Sequence, residues 1–297
     1  MRSRDFWDYF DRVAKPRLAL RASTFSSAFT YLDHFDRPVG IIETGCVREK
    51  GAWEGDGQST ILFDKYAETH PGSVVLSVDS DPAATALCKS VVTSSTRVTT
   101  SDSIAFLESL TEQPPPELGA IDLLYLDSLD TDPNFEDPLP AVHHLKELLT
   151  IAPMIGPETL VLVDDSPLYL FGVSGGDGSV KPIRPPSIGG KGRLIAEYAA
   201  TIGAELFFSE YQCGWLGFSR FPGSSLPNGS GIAAHSKAST DTAISNGISD
   251  DLFVRGGLQL AEVRAVMAWA RRHPRIASAT RRAALVAAWC ATLWRQQ

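Results

Sequence analysis

The chain has 297 residues, of which 43% are hydrophobic, and a formal net charge of −8. A chain of this size and composition buries a substantial core, so disorder for want of apolar residues is excluded. Its apolar runs are no longer than strands and its N-terminus "MRSRDFWDYFDRV" is broken by charges, which argues against a spanning helix or a secretory leader and points to a cytoplasmic protein.

In chain order, residues 1–38, with "DFWDYF" and "TFSSAFTYLDHF", read as aromatic-rich helices capping a sheet. From residue 39, apolar runs of strand length alternate with helical patterns. "VGIIET" (39–44) precedes a helix near 57–69, "SVVLSVD" (73–79) one near 81–92, and "TRVTTSD" (96–102) one near 103–111. "AIDLLYLD" (120–127) then precedes a helix near 139–152, and "ETLVLVDD" (158–165) one near 191–203. Continuous apolar strands separated by helices are what a parallel sheet covered on both faces requires, so the pattern predicts a doubly wound α/β domain.

The alternation ends differently. "AELFFSEY" (204–211) and "CGWLGFSRF" (213–221) follow one another across a short turn with no helix, which predicts a terminal antiparallel hairpin and a mostly parallel, seven-stranded sheet. After Phe221 a Ser-, Gly- and Asn-rich stretch reads as a linker over 222–249, and a basic amphipathic helical tail over 250–297. From Arg255 to the end there are eight arginines and one acid, Glu262, a surface suited to an anionic partner or to packing in a homo-oligomer. The four cysteines, Cys46, Cys88, Cys213 and Cys290, form no CxxC pair and are expected to be reduced.

In open α/β sheets ligands sit at the carboxyl ends of the strands, which places Glu43, Gly45 and the loop "CVREKGAWEGDGQS" in the default binding position. The loop has neither GxGxxG nor GK[ST], so it does not cradle a phosphate by either route. An acid at the strand end repels phosphate but pairs with a sulfonium and an α-amino group, which points to S-adenosylmethionine (SAM). Asp79, ending the second strand, can take both ribose hydroxyls as charge-assisted hydrogen bonds. Asp102, ending the third with Ser103 beside it, either meets an adenine edge or caps the helix that follows.

On the next two strands, "LYLDSLD" and "VLVDDS" bring Asp127, Asp164 and Asp165 to adjacent strand ends. Three converging carboxylates repel unless a cation shares them, and oxygen-only ligands suit Mg²⁺. The proton of an acceptor hydroxyl would go to Asp130 or to a histidine of "AVHHL", His143 or His144, of which one at most faces a given site. The long segment 166–190 reads as a lid or binding element, with Tyr169, Phe171 and Arg184 candidates for acceptor recognition.

"IIETGC", the strand-end Asp79, "LYLDSLD" and "VDDS", in that order, resemble the class I SAM-dependent methyltransferases of the metal-dependent O-methyltransferase type: the catechol and caffeoyl-CoA enzymes and the macrocin-type enzymes that methylate sugar hydroxyls. The resemblance covers about residues 39–220. It implies SAM contacts from Glu43, Gly45, Ser59, Asp79 and Asp102, Mg²⁺ ligation by Asp127, Asp164 and Asp165, and methyl transfer to a small-molecule or sugar hydroxyl. Two departures stand out. The catechol-type enzymes carry a lysine three positions after the first metal aspartate where this chain has Asp130, and the insertion "VREKGAWEGDGQS" is longer than the family's compact loop.

Two other classes compete. "VDSD" has the DxD form of a metal-dependent glycosyltransferase, and a methyltransferase-like fold could serve as a non-catalytic binding module. A metal-dependent hydroxylase is disfavoured by the lack of a 2-His-1-carboxylate set. Nothing points to nucleic acid.

Overall fold

The computed structural model describes residues 3–219, except 54, 56–57, 132–137, 170–171, 175–179 and 183–186. The linker and tail expectations therefore lie outside the described residues.

Seven strands form one sheet: β1 (Gly40–Thr44), β2 (Val74–Asp79), β3 (Thr96–Thr100), β4 (Ile121–Leu126), β5 (Ile155–Val163), β6 (Glu205–Ser209) and β7 (Cys213–Leu216). Their spatial order is β6-β7-β5-β4-β1-β2-β3. All neighbouring pairs from β5 to β3 are parallel, and only β7 runs against the rest, antiparallel to both β5 and β6. The expected hairpin is therefore present. The central strands β1 and β4 are buried along their whole length, which is why "GIIET" and "IDLLYL" show no polar alternation.

The helices are α1 (Arg4–Tyr9), α2 (Ala22–Leu32), α3 (Ser59–Glu68), α4 (Pro82–Val91), α5 (Ser103–Glu112), α6 (Leu139–Ile151) and α7 (Arg193–Ile202). The sequence placed α3 to α7 within two residues at either end. The segment 166–190, expected as a loop, carries two short antiparallel ribbons, Leu168–Tyr169 with Ser187–Ile188 and Gly172–Ser174 with Val180–Pro182.

The N-terminal helices are tied down by aromatic packing. Phe6, Phe10, Phe25 and Phe29 are fully buried and meet Phe63 and Tyr66 of α3 and Tyr125 of β4, with Phe29–Phe63 and Phe25–Tyr125 centroids 6.0 and 5.8 Å apart. Such contacts add to the large apolar area each ring removes from water. Their consequence for the site is positional, because the turn entering α2 carries Arg21 to the carboxyl ends of β4 and β5.

Candidate functional site

The sheet order reverses between β1 and β4, and the crevice that a doubly wound sheet opens at that point lies outside the strands' carboxyl ends. Gly45 marks its floor. It has φ +85°, and a Cβ there would lie 2.5 Å from the carbonyl oxygen of Asp127, so only glycine lets the β1 turn pass this close to the end of β4.

On the β1–β3 side, Glu43 is fully buried and accepts hydrogen bonds from Ser59 Oγ (2.6 Å), Thr60 Oγ1 (2.7 Å) and Ser77 Oγ (2.6 Å). A carboxylate enclosed in this way locks the loop, the start of α3 and β2 together, and a ligand could reach it only by displacing those hydroxyls. Ser59 is spent in the same lock. Gln58, in the left-handed region at φ 51°, closes the loop above by donating to the Glu49 carbonyl (2.7 Å) and accepting from the Gly51 N–H (3.2 Å).

Asp79 is partly exposed and accepts the N–H groups of Cys46 (3.2 Å) and Asp81 (2.8 Å), which fixes its carboxylate at the crevice edge. Asp81 in turn caps α4 through the Ala83 N–H (2.8 Å). The two acids of "VDSD" are thus engaged in local turns. Asp102 caps α5 through the Ala105 N–H (3.0 Å) with its side chain exposed, and Ser103 is buried with Oγ 3.0 Å from His143 Nε2.

On the β4–β5 side, Asp127, Asp164 and Asp165 converge, with one carboxylate oxygen of each within 4.8 Å of the others. Two buried cations meet them. Arg21 donates from Nε to both oxygens of Asp164 (3.0 and 2.9 Å) and from Nη2 to Asp165 Oδ1 (3.2 Å). Lys191, 1% exposed, pairs through Nζ with Asp127 Oδ1 and with Asp165 Oδ2 (3.0 Å). Tyr211 adds its hydroxyl to Asp165 Oδ1 (2.6 Å).

The electrostatics follow from this pairing. Burial raises the Asp127 carboxyl well above the usual range, with Lys191 opposing and the other two aspartates reinforcing the rise. For Asp165, burial acts upward but Lys191, Tyr211 and Arg21 outweigh it and the carboxyl is lowered. Lys191 is itself held in its charged form: burial favours the neutral amine, and the three aspartates more than reverse that.

Behind the trio lies a second polar cluster on α6. Glu147 is fully buried, receives Ser128 Oγ (2.6 Å) and Thr44 Oγ1 (3.2 Å), and lies 3.3 Å from His143 Nε2. Burial raises its carboxyl, but the histidines outweigh that and lower it to about 2. His144 is fully buried, its Nδ1 bonded to the Pro140 carbonyl (2.6 Å), and burial drives it down to about 4, so it is neutral near pH 7. Both histidines therefore belong to this cluster. Asp130 stands apart, exposed and paired with Arg48 (2.6 Å).

Of the acceptor-recognition candidates, Tyr169 packs against the Gly189 backbone, while Phe171 and Arg184 lie outside the described residues. Sequence reasoning missed Arg21, Lys191, Tyr211 and Glu147. Glu147 had a legible signal, four residues after His143 on a helix, and Lys191 sits in the glycine-flanked "GGKG" directly after the long segment. Cys46, Cys88 and Cys213 are buried free thiols. Among the described residues, no helix is long and apolar enough to cross a membrane.

No protein-family model matches the sequence, and no curated protein matches it. Solved structures do. The MycE methyltransferase of the mycinamycin biosynthetic pathway, in complex with Mg, SAH and mycinamycin VI, aligns at 14% identity over 76% of this chain and 58% of its own, with TM-score 0.47. The chain thus spans less than two thirds of MycE. A TehB-like SAM-dependent methyltransferase from Corynebacterium glutamicum aligns at 14% identity over 68% of this chain and 97% of its own, with TM-score 0.33. LepI in complex with SAM aligns at 14% identity over 64% and 45%, with TM-score 0.38. The strand order of the sheet, with its single antiparallel strand in the closing hairpin, is that of the Rossmann-like methyltransferase fold.

Proposed function

We propose that the chain is a SAM-dependent O-methyltransferase acting on a hydroxyl of a small molecule or sugar. SAM would lie over the ends of β1–β3, and the acceptor beside the aspartate trio. The observation that carries this reading is the division of strand-end acids on the two sides of the switch point. Among the described residues, Asp79 and Asp102 are bonded only by N–H donors, whereas Asp127, Asp164 and Asp165 form a separate converging group.

The residues suit the cofactor. The fixed Asp79 carboxylate would take a vicinal diol and the outward Asp102 a polar ring edge, with Gly45 letting the backbone come close beneath. When bound, SAM supplies a methyl group made electrophilic by its sulfonium. The chain's task is then alignment, since an in-line displacement needs donor carbon and acceptor oxygen held together and water kept out. Glu43 contributes by fixing the loop to α3 and β2, as a positioning residue. Asp130, three residues past Asp127, would accept the hydroxyl proton at a carboxylate oxygen once released from Arg48.

The trio supplies the oxygen donors and convergence that a hard divalent ion takes, so Asp127, Asp164 and Asp165 would hold Mg²⁺. Bound there, the ion would act as Lewis acid and template for the acceptor's oxygens. The readings as a glycosyltransferase or as a binding module that takes no SAM remain outcomes of the test. Isothermal titration with SAM is expected to show saturable one-to-one binding by the unaltered chain, strongly weakened in Asp79→Ala. A folded chain that gives no heat with SAM would end the methyltransferase reading, and heat with a nucleotide sugar instead would favour the glycosyltransferase.

A further inference from the structure

Lys191 occupies an unusual place for a lysine. It is 1% exposed, yet its ammonium bridges Asp127 and Asp165, two of the three acids that converge at the ends of β4 and β5. Its placement is built into the backbone. The Lys191 N–H donates to the Asp165 carbonyl (3.0 Å), Gly190 has φ +55°, and a Cβ at Gly192 would lie 2.4 Å from Ser166 Oγ. Glycine on both sides lets this turn press against the strand ends so that a long side chain folds inward.

The charges explain what that side chain does. Three ionised carboxylates face two cations, Arg21 and Lys191, which leaves the cluster with one uncompensated negative charge. A divalent ion added on top of both cations would overshoot to a positive cluster. A divalent ion that replaces the lysine ammonium beside Arg21 brings it to neutrality. Space gives the same answer, because Lys191 Nζ holds one oxygen of Asp127 and Asp165 Oδ2, the other Asp165 oxygen being held by Arg21 and Tyr211. Arg21 holds the other side of the cluster, donating to both oxygens of Asp164 and reaching Asp165 at Oδ1, whereas Lys191 bridges Asp127 Oδ1 and Asp165 Oδ2.

We propose that Lys191 is a resident counter-ion that competes with the divalent cation for Asp127 and Asp165, so that ion entry requires its ammonium to withdraw and Lys191 sets the cation affinity of the site. This deepens the reading of the trio given above and rests on it. It makes Lys191 a specificity-determining residue: monovalent charge is already satisfied, and only an ion that binds the carboxylates strongly enough to displace an ammonium can enter.

The test measures Mn²⁺ binding by electron paramagnetic resonance, and Mg²⁺ by calorimetry, on the full chain and on Lys191→Met. Removing a close like charge from a partly desolvated site is expected to tighten divalent binding by about tenfold or more. Equal or weaker affinity in a folded Lys191→Met would overturn the proposal. If that variant does not fold, amine acylation of the unaltered chain read by mass spectrometry decides. Lys191 should be protected without metal and be labelled several times faster as Mg²⁺ saturates, and unchanged labelling at saturation would count against displacement. SAM titration of the same samples separates the two readings. SAM binding with no effect of Lys191→Met on Mn²⁺ leaves the methyltransferase and removes the competition. A gain in Mn²⁺ affinity without SAM binding does the reverse.

Discussion

The two halves of the strand-end crevice hold their carboxylates by opposite means. Over β1–β3, Glu43 is bonded by three hydroxyls, Asp79 by two N–H groups and Asp102 by one. Neutral donors stabilise a carboxylate without cancelling its charge, so this half keeps a negative field that attracts a cationic ligand. Over β4–β5, Asp164, Asp165 and Asp127 are paired with Arg21 and Lys191, both buried. There the field is largely spent within the protein. Strand-end acids that look equivalent in the sequence thus sit in different electrostatic settings, which under the proposed function would suit one group to a cation that binds and leaves and the other to a cation that must first displace a resident one.

Breaking the ion-paired half should cost the most. Arg21→Met leaves the 1% exposed Asp164 carboxylate buried without its partner, and urea denaturation is expected to show a loss of about 3–5 kcal/mol. Adding Asp164→Leu to that variant should recover most of it, because the penalty comes from the stranded charge; no recovery would mean that Arg21 contributes mainly by packing.

The polar cluster beneath this half sets a pH dependence. A folded-state pKa of about 4 for His144, below its ordinary value near 6.5, means the unfolded chain binds the proton first. The contribution of His144 to stability is therefore expected to be fully present above pH 6.5 and lost as pH falls to about 4, by roughly 3 kcal/mol. Glu147, lowered to about 2, extends the loss below the ordinary glutamate range. His144→Leu should flatten the slope between pH 6.5 and 4 while leaving the more acid limb, and an unchanged upper limb would remove His144 as its source.

The neutral-donor half should be more forgiving. Glu43→Gln removes one acceptor oxygen from three hydroxyl donors and is expected to cost about 1–3 kcal/mol by thermal denaturation, with weaker SAM binding because the loop is no longer fixed. Asp79→Ala should lower SAM affinity at least about tenfold while changing stability by under about 1 kcal/mol, since its partners can turn to water. A stability loss as large as that of Arg21→Met would erase the contrast between the halves.

The smallest effect belongs to the exposed pair of Asp130 and Arg48, where Arg48→Ala should change stability by less than about 1 kcal/mol. Asp130→Asn separates stability from chemistry. If Asp130 takes the acceptor proton, turnover falls by about 10²-fold or more at unchanged stability, and retained turnover moves the proton elsewhere.

By itself the sequence determined the alternation of strands and helices, the closing hairpin and the presence of acids at five strand ends, because these follow from local periodicity and from what a doubly covered sheet must bury. It could not tell a ligand-facing acid from an enclosed one. Glu43 and Asp79 read alike along the chain, yet the first is sealed by hydroxyls from α3 and β2. The histidines of "AVHHL" read as proton acceptors, and the fold turns them onto Glu147. The partners that decide the aspartates' charge come from far away, Arg21 143 residues before Asp164 and Lys191 64 residues after Asp127. A charge is neutralised by whatever the tertiary structure brings within a few ångströms, and neither residue type nor spacing encodes that distance.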